Sequence, residues 1–386
     1  MSKMRILHVS SSPLHIGGVE YQITALSEVM SKKHEIHLAA DGSSEFYKNY
    51  IQTGGVYHEW KVETKFDVGA IASFNKIINS IKPDIIHIHD PRAGWLLRPL
   101  LFQKRIPVVY TTHLPPYFYI WSDKFSKVRQ FLYGKTEQVL NRFFTSAIIY
   151  VSKSAYDHAL DMHYVSSAKA HLILNGINLE PYRALPIDEA RQLRSQFDVP
   201  PRTPILCVVA RLSAEKNFPF FLRAISQLHG EGYTFVVWII GEGSEHGFLN
   251  QLAGQLGIES FVKFWGSQTN IPLFLSSGNI FALTSLYEGG RTISIMEAQA
   301  AGKPCVVSAV GDHNALIENG VTGFIFEQGD QNAFLRSLKL LLDSPDLMNS
   351  FGELARRKAF NEYDIEIAAN KHEQLYASVL AEMGEY

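Results

Sequence analysis

Residues 280 to 307, IFALTSLYEGGRTISIMEAQAAGKPCVV, place residue types that can bind an anion beside residue types that can bind hydroxyl groups. Ile280 to Thr284 is a short apolar run suited to a buried parallel strand, broken by Glu288, Gly289 and Gly290. A helix is expected from Thr292, because Ile293, Met296 and Ala300 fall at i, i+3 and i+7, until Gly302 and Pro304 stop it. A glycine turn between a strand end and a helix start gathers unpaired backbone N–H groups at the positive end of a helix dipole. Such a point attracts phosphate. Glu288 and Glu297 flank it. Carboxylates repel phosphate, so their chemistry there is to accept hydrogen bonds from sugar hydroxyls. Amides for a diphosphate beside carboxylates for hydroxyls describe a nucleotide-sugar site. The plainer alternative is an ordinary strand-turn-helix connection with two solvated glutamates.

Other loops carry complementary groups. Arg211 and Lys216, in VARLSAEKN, leave an apolar strand at Ile205 to Val209 on the side where the Glu288 turn opens. A guanidinium fork and a point-charge ammonium suit a departing pyrophosphate, whose bonds strengthen as charge develops; a solvated loop is the alternative. Gly17 and Gly18 precede a helix and form a second phosphate-compatible turn, without the G-x-G-x-x-G spacing of a dinucleotide fingerprint. His113 is a candidate neutral partner for a substrate hydroxyl. His87, His89 and Asp90 end one strand and read as packing or hydrogen bonding before a metal site. No Asp-x-Asp occurs, so no metal is expected at the diphosphate and no cofactor is called for.

The elements that must position these groups alternate strand and helix twice. Strands are expected at Arg5 to Ser10, Glu35 to Ala40, Ile85 to His89, Val108 to Thr112, Ala147 to Val151 and Leu172 to Leu174. A second set is expected at Ile205 to Val209, Thr234 to Ile240, Val262 to Trp265, Ile280 to Thr284, Pro304 to Val307 and Gly323 to Phe326. The pattern is α/β, two Rossmann-like parallel-sheet domains, with ligands expected at the carboxyl ends of the strands, in a cleft where the domains face. The polar, proline-bearing stretch Asn175 to Pro201 is the expected connection, dividing 1–185 from 186–364, and Ile365 to Leu380 is a further helix-compatible segment.

Composition narrows the class. The chain has 386 residues, enough for two cores, with 46% hydrophobic and 19% charged residues and a formal net charge of −2. That charge gives no basis for bulk nucleic-acid binding. Cys207 and Cys305 fall in expected strands and read as core residues of a reducing compartment. No run approaches the length of a spanning helix, and a cytoplasmic protein is expected. Residues 114–144 interleave aromatics with Lys124, Lys127, Arg129, Lys135 and Arg142, which suits either peripheral contact at an anionic membrane surface or an amphipathic core helix with a solvated basic face.

Taken in order, GGVE, KPDIIHIHDP, the TTH segment ending at His113, LILNGIN, VARLSAEKN, IIGEGSE and YEGGRTISIMEAQAAGKPCVVS resemble the family 4 glycosyltransferases of the GT-B fold over nearly the whole chain. The resemblance implies a retaining, metal-independent enzyme that moves a sugar from a nucleoside diphosphate sugar to a glycan or lipid-linked acceptor. The expected setting is bacterial surface polysaccharide or glycolipid assembly at the inner face of the cytoplasmic membrane. It implies that Arg211 and Lys216 hold the pyrophosphate, Glu297 the ribose, Glu288 the transferred sugar and His113 another sugar hydroxyl. Gly17 and Gly18 would complete the diphosphate site from the opposite domain. Gly241, Glu242, Asn270 and Ile271 would line the base pocket, with Gly289, Gly290, Arg291, Thr292 and Ile293 at the donor, and the tail helix 365–386 would cross back to the first domain. Eight residues separate Glu288 from Glu297, one more than the family pattern, and a loop insertion that still presents Glu288 is the expected reason. A nucleotide-sugar epimerase and a non-catalytic nucleotide-sugar-binding protein are the alternatives.

Overall fold

The computed structural model describes residues 3–14, 17–42, 44–64, 67–113 and 126–384. The chain divides into two compact units, residues 1–176 with 365–386 and residues 177–364. The first holds β1 (Arg5–Leu14), β2 (Glu35–Gly42), β3 (Val56–Glu59), β4 (Ile85–Ile88), β5 (Val108–Thr112), β6 (Ala147–Tyr150) and β7 (Ala170–Leu172). These pair in parallel in the order β3-β2-β1-β4-β5-β6-β7. Runs such as IIHI and AIIY are buried at every position, as a sheet covered on both faces requires. The edge strand β3, VYHE, is the one the apolar pattern did not announce. It pairs with β2 alone and is buried at no position, so it needs no apolar run.

The second unit holds β8 (Ile205–Val209), β9 (Val236–Ile240), β10 (Val262–Phe264), β11 (Ile280–Leu283), β12 (Cys305–Ser308) and β13 (Gly323–Phe326), all parallel, in the order β10-β9-β8-β11-β12-β13. Strand order reverses between β1 and β4 in one unit and between β8 and β11 in the other. Open α/β sheets bind ligands at the carboxyl side of such switch points. Cys207 on β8 and Cys305 on β12 are buried free thiols of the two strands that flank β11.

The helix Ile365–Gly384 belongs to the first unit. Its Ala368, Ala369, Leu375, Tyr376 and Val379 share a core with Met4, Ile6, Leu26 and Met30. The junction expected at 185/186 lies earlier, at 176/177. Residues 177–185 pack on the second unit because Ile177 N–H donates to Tyr363 O (2.7 Å), Tyr182 is buried, and Arg356 donates to Arg183 O (3.2 Å). A proline-bearing polar stretch marked a boundary, but these backbone bonds decide which side keeps it.

Candidate active site

The loop leaving β8 carries Arg211 and then a single 3-10 turn, Ala214–Lys216, closed by Asn217 in the left-handed region (φ 53°). The loop leaving β11 is stapled to it. Leu286 N–H donates to Glu215 O (2.7 Å), and the Thr284 hydroxyl donates to Lys216 O (3.2 Å) and Asn217 O (3.3 Å). Two loops that the sequence separates by some seventy residues therefore share one framework at the β8/β11 switch point. Across it, Lys216 Nζ lies 2.5 Å from Glu288 Oε1, which also accepts the Ser285 hydroxyl at 2.6 Å. The two side chains are only 14% and 11% exposed. Burial by itself would raise the Glu288 carboxyl. The nearby Lys216 charge, then His313 and the hydrogen bonds, outweigh it and hold the group below its ordinary value. Glu288 is thus a carboxylate at neutral pH, and one N–H of the ammonium is engaged by it.

Arg211 is exposed, near enough to Tyr287 to counter the upward push that burial, Glu215 and Glu288 exert on that phenol. The β9 loop supports the turn that bears Arg211. Leu212 N–H donates to Glu242 O (2.9 Å) and Glu245 N–H to Leu212 O (3.0 Å). Backbone packs so closely here that a Cβ on Gly241 would lie 2.0 Å from Ala210 O, and one on Gly243 2.2 Å from Leu212 O. Gly241 and Glu242, expected at the base pocket, buttress the Arg211 turn. Asn270 caps the helix Ile271–Ser277 by accepting Leu273 N–H (3.3 Å).

Beyond Gly289 and Gly290 the helix Ile293–Ala300 begins after Thr292. Glu288 stands in the loop before this helix, on Lys216. Glu297 is in the helix's second turn and is 8% exposed; burial pushes its carboxyl up to about 7, partly opposed by a hydrogen bond from Tyr182. Arg291 is turned onto the unit's own packing, its Nη1 donating to Glu362 O (3.3 Å) and its guanidinium 5.3 Å from the Tyr363 ring centroid.

Two side chains escaped the sequence reading. His313 is fully buried; its Nδ1 donates to Ser308 O (2.8 Å), so its Nε2 accepts the Thr292 hydroxyl (3.0 Å) and ties the β12 loop to the helix start. Gly311, two residues earlier with φ +54°, lets that loop lie against Glu288. A histidine just past a strand's carboxyl end was the available signal. Tyr182 lay in the stretch assigned to the other domain.

In the first unit Gly17 precedes the helix Gly18–Met30, with residues 15 and 16 outside those described. Asp90 caps the helix Pro91–Gln103 through Ala93 N–H (3.0 Å) and accepts both the N–H and the hydroxyl of Ser11 (2.6 Å each), joining β1 to β4. His113 follows β5. The structure brings Arg211, Lys216, Glu288 and Glu297 onto one unit, and His113, Gly17 and Gly18 onto the other.

Fold and site together define an α/β protein with Arg211, Lys216 and Glu288 gathered on glycine-buttressed loops at a sheet switch point. Two family models match in tandem: "Glycosyltransferase Family 4" over residues 16–181 and "Glycosyl transferases group 1" over residues 189–358. The chain belongs to the family 4 glycosyltransferases and has their GT-B fold. It is 25% identical over 390 residues to the Escherichia coli UDP-Gal:alpha-D-GlcNAc-diphosphoundecaprenol alpha-1,3-galactosyltransferase, covering 98% of both chains. It is 23% identical over 377 residues to the Bacillus anthracis N-acetyl-alpha-D-glucosaminyl L-malate synthase, covering 95% of both. The crystal structure of Anabaena HepE with UDP and glucose superposes with a TM-score of 0.83 at 22% identity, over 97% of this chain and 100% of that one.

Proposed function

We propose that this glycosyltransferase takes its sugar from a nucleoside diphosphate sugar and passes it, with retention, to an acceptor hydroxyl. The observation that carries the reading is the Lys216–Glu288 pair at the β8/β11 switch point, with Arg211 exposed beside it. Arg211 and Lys216 would hold the diphosphate, Glu288 a hydroxyl of the transferred sugar and Glu297 the ribose. The C1–O bond to the diphosphate breaks through an oxocarbenium-like state, and the acceptor oxygen forms its bond on the same face. The acceptor's proton passes to a diphosphate oxygen. Charge develops on that leaving group, so the cations act where they lower the barrier most. The reading calls for no resident metal or cofactor, because Arg211 and Lys216 supply the cationic charge.

The test is incubation with several nucleotide sugars, with and without a lipid-linked glycan. Diphosphate release only with acceptor is expected. A new nucleotide sugar would establish an epimerase instead, and saturable binding alone a non-catalytic protein.

Glu297 makes nucleotide binding pH-dependent. Hydrogen bonds to a carboxylate exceed those to a neutral acid by about 1 kcal/mol. With the carboxyl near 7, affinity for a nucleoside diphosphate should rise about three- to fourfold from pH 6 to pH 8 beyond the nucleotide's own titration. That excess should vanish in Glu297→Gln; calorimetric titrations at both pH values check it.

A lipid-linked acceptor is supported by the name of the Escherichia coli relative and by the helix Ser126–Phe143. Residues 114–125 lie outside those described. The helix turns Glu137 and Asn141 inward, where buried Arg98 holds Glu137 through two contacts of 2.8 and 3.0 Å. Outward it shows Val128, Phe131, Leu132, Val139 and Phe143 among Lys127, Lys135 and Arg142. Apolar side chains set among cations suit an anionic bilayer surface. No helix among the described residues is long and apolar enough to cross one. Phe131→Ser with Leu132→Ser should lower sedimentation with phosphatidylglycerol vesicles at least tenfold and leave nucleotide binding unchanged. Equal sedimentation would remove this surface from the account.

A further inference from the structure

Three histidines stand in line at neighbouring strands of the first unit: His8 on β1, His89 just past β4 and His113 just past β5. His8 Nδ1 lies 2.8 Å from His89 Nε2, and His89 Nδ1 lies 3.3 Å from His113 Nε2. Burial depresses all three imidazoles, His8 to about 3, His113 to about 4 and His89 well below its ordinary value, so the chain is neutral at physiological pH. A neutral imidazole has one N–H donor and one acceptor nitrogen. Three in series therefore have two self-consistent proton arrangements. In one, every N–H points from His8 toward His113, which must then carry its own proton on Nδ1. In the other, every N–H points back toward His8, which must then carry its proton on Nε2. That atom is buried and has no hydrogen-bond partner. An orphaned buried N–H is rarer and costlier than an under-used acceptor, so the first arrangement is the stable one.

We propose that His8 and His89 are positioning residues that lock His113 as the Nδ1–H tautomer, leaving Nδ1 as a hydrogen-bond donor for a substrate hydroxyl oxygen. Use of that donor by a sugar rests on the transferase reading above; the tautomer itself does not. The nearest competitor is a cation held by His8, His87 and His89, whose nitrogens lie within 4.8 Å of one another. It fits less well, because His87 Nδ1 is 2.6 Å from the Tyr376 hydroxyl and His87 Nε2 is 2.6 Å from the Thr111 hydroxyl. A cation would have to displace one of these bonds and, since both His89 nitrogens are engaged, one of that residue's bonds as well.

The test is long-range 1H–15N correlation of the imidazoles in full-length protein labelled with [15N]histidine, His113 being assigned by the signal lost in His113→Gln. The expected result is a proton on Nδ1 and a bare Nε2 in the wild type. In His89→Phe, which removes the donor to Nε2, the same residue should shift toward the Nε2–H form, and kcat/KM should fall about tenfold, the worth of about one hydrogen bond. A wild-type His113 protonated on Nε2, an unchanged tautomer in a folded His89→Phe, or stoichiometric zinc in the purified protein would each overturn the proposal. Should His89→Phe fail to fold, the wild-type spectrum alone decides. A correct tautomer whose His113 signals ignore a bound nucleotide sugar would count against the transferase reading and leave this one intact.

Discussion

Arg211→Ala is expected to lower turnover about a hundredfold and leave unfolding by denaturant unchanged, whereas Lys216→Ala should lose both activity and stability. Removing one preorganised contact to a developing charge costs about 3 kcal/mol of transition-state stabilisation. Arg211 is exposed, so its loss uncovers nothing. Lys216 differs because its partner is buried: with side-chain exposures of 14% and 11%, the pair shields each member from an unfavourable environment. Truncating one partner of such a pair costs about 3 to 5 kcal/mol, since the other is left charged and unpaired. The double variant Lys216→Ala with Glu288→Ala should regain part of that stability and none of the activity. Acceptor-dependent diphosphate release and urea denaturation on the three variants separate the effects. Wild-type turnover in Arg211→Ala would take that residue out of the mechanism.

Gly243→Ala should cost about 3 kcal/mol of stability and weaken nucleotide binding at least tenfold. Its Cβ would meet three backbone atoms of Leu212, at 2.2, 2.6 and 2.7 Å. Backbone cannot rotate aside as a side chain can, so the β9 loop and the Arg211 turn must separate. Gly247, four residues on and inside the helix His246–Leu256, is the control. A Cβ there meets nothing within 4 Å, and alanine should stabilise by up to about 1 kcal/mol. Thermal unfolding of both variants checks the pair; equal melting temperatures would mean the close approach is not required.

The strands of the second unit were legible because IFAL, CVVS and GFIF are short, apolar and bounded by glycine or proline, the pattern of buried parallel strands. The loops bearing Arg211, Lys216 and Glu288 were legible for the same reason, since strand ends locate them. Periodicity is blind to what packs between loops. His313 reaches the site only through the turn at Gly311, and Tyr182 reaches Glu297 from a segment whose composition suggested a linker. The outward-facing aromatics of the helix Ser126–Phe143 were likewise ambiguous in sequence. A hydrophobic stripe normally faces inward, and here the buried Arg98 draws Glu137 inward instead.

Calorimetric titration of UDP, GDP and ADP into the wild type and Arg211→Ala bears most directly on whether the β8 and β11 loops hold a nucleoside diphosphate. One nucleotide should bind at one site per chain, with affinity at least tenfold lower in the variant, the worth of a charge-assisted hydrogen bond. An unchanged dissociation constant in Arg211→Ala, or no binding of any of the three, would contradict the assignment.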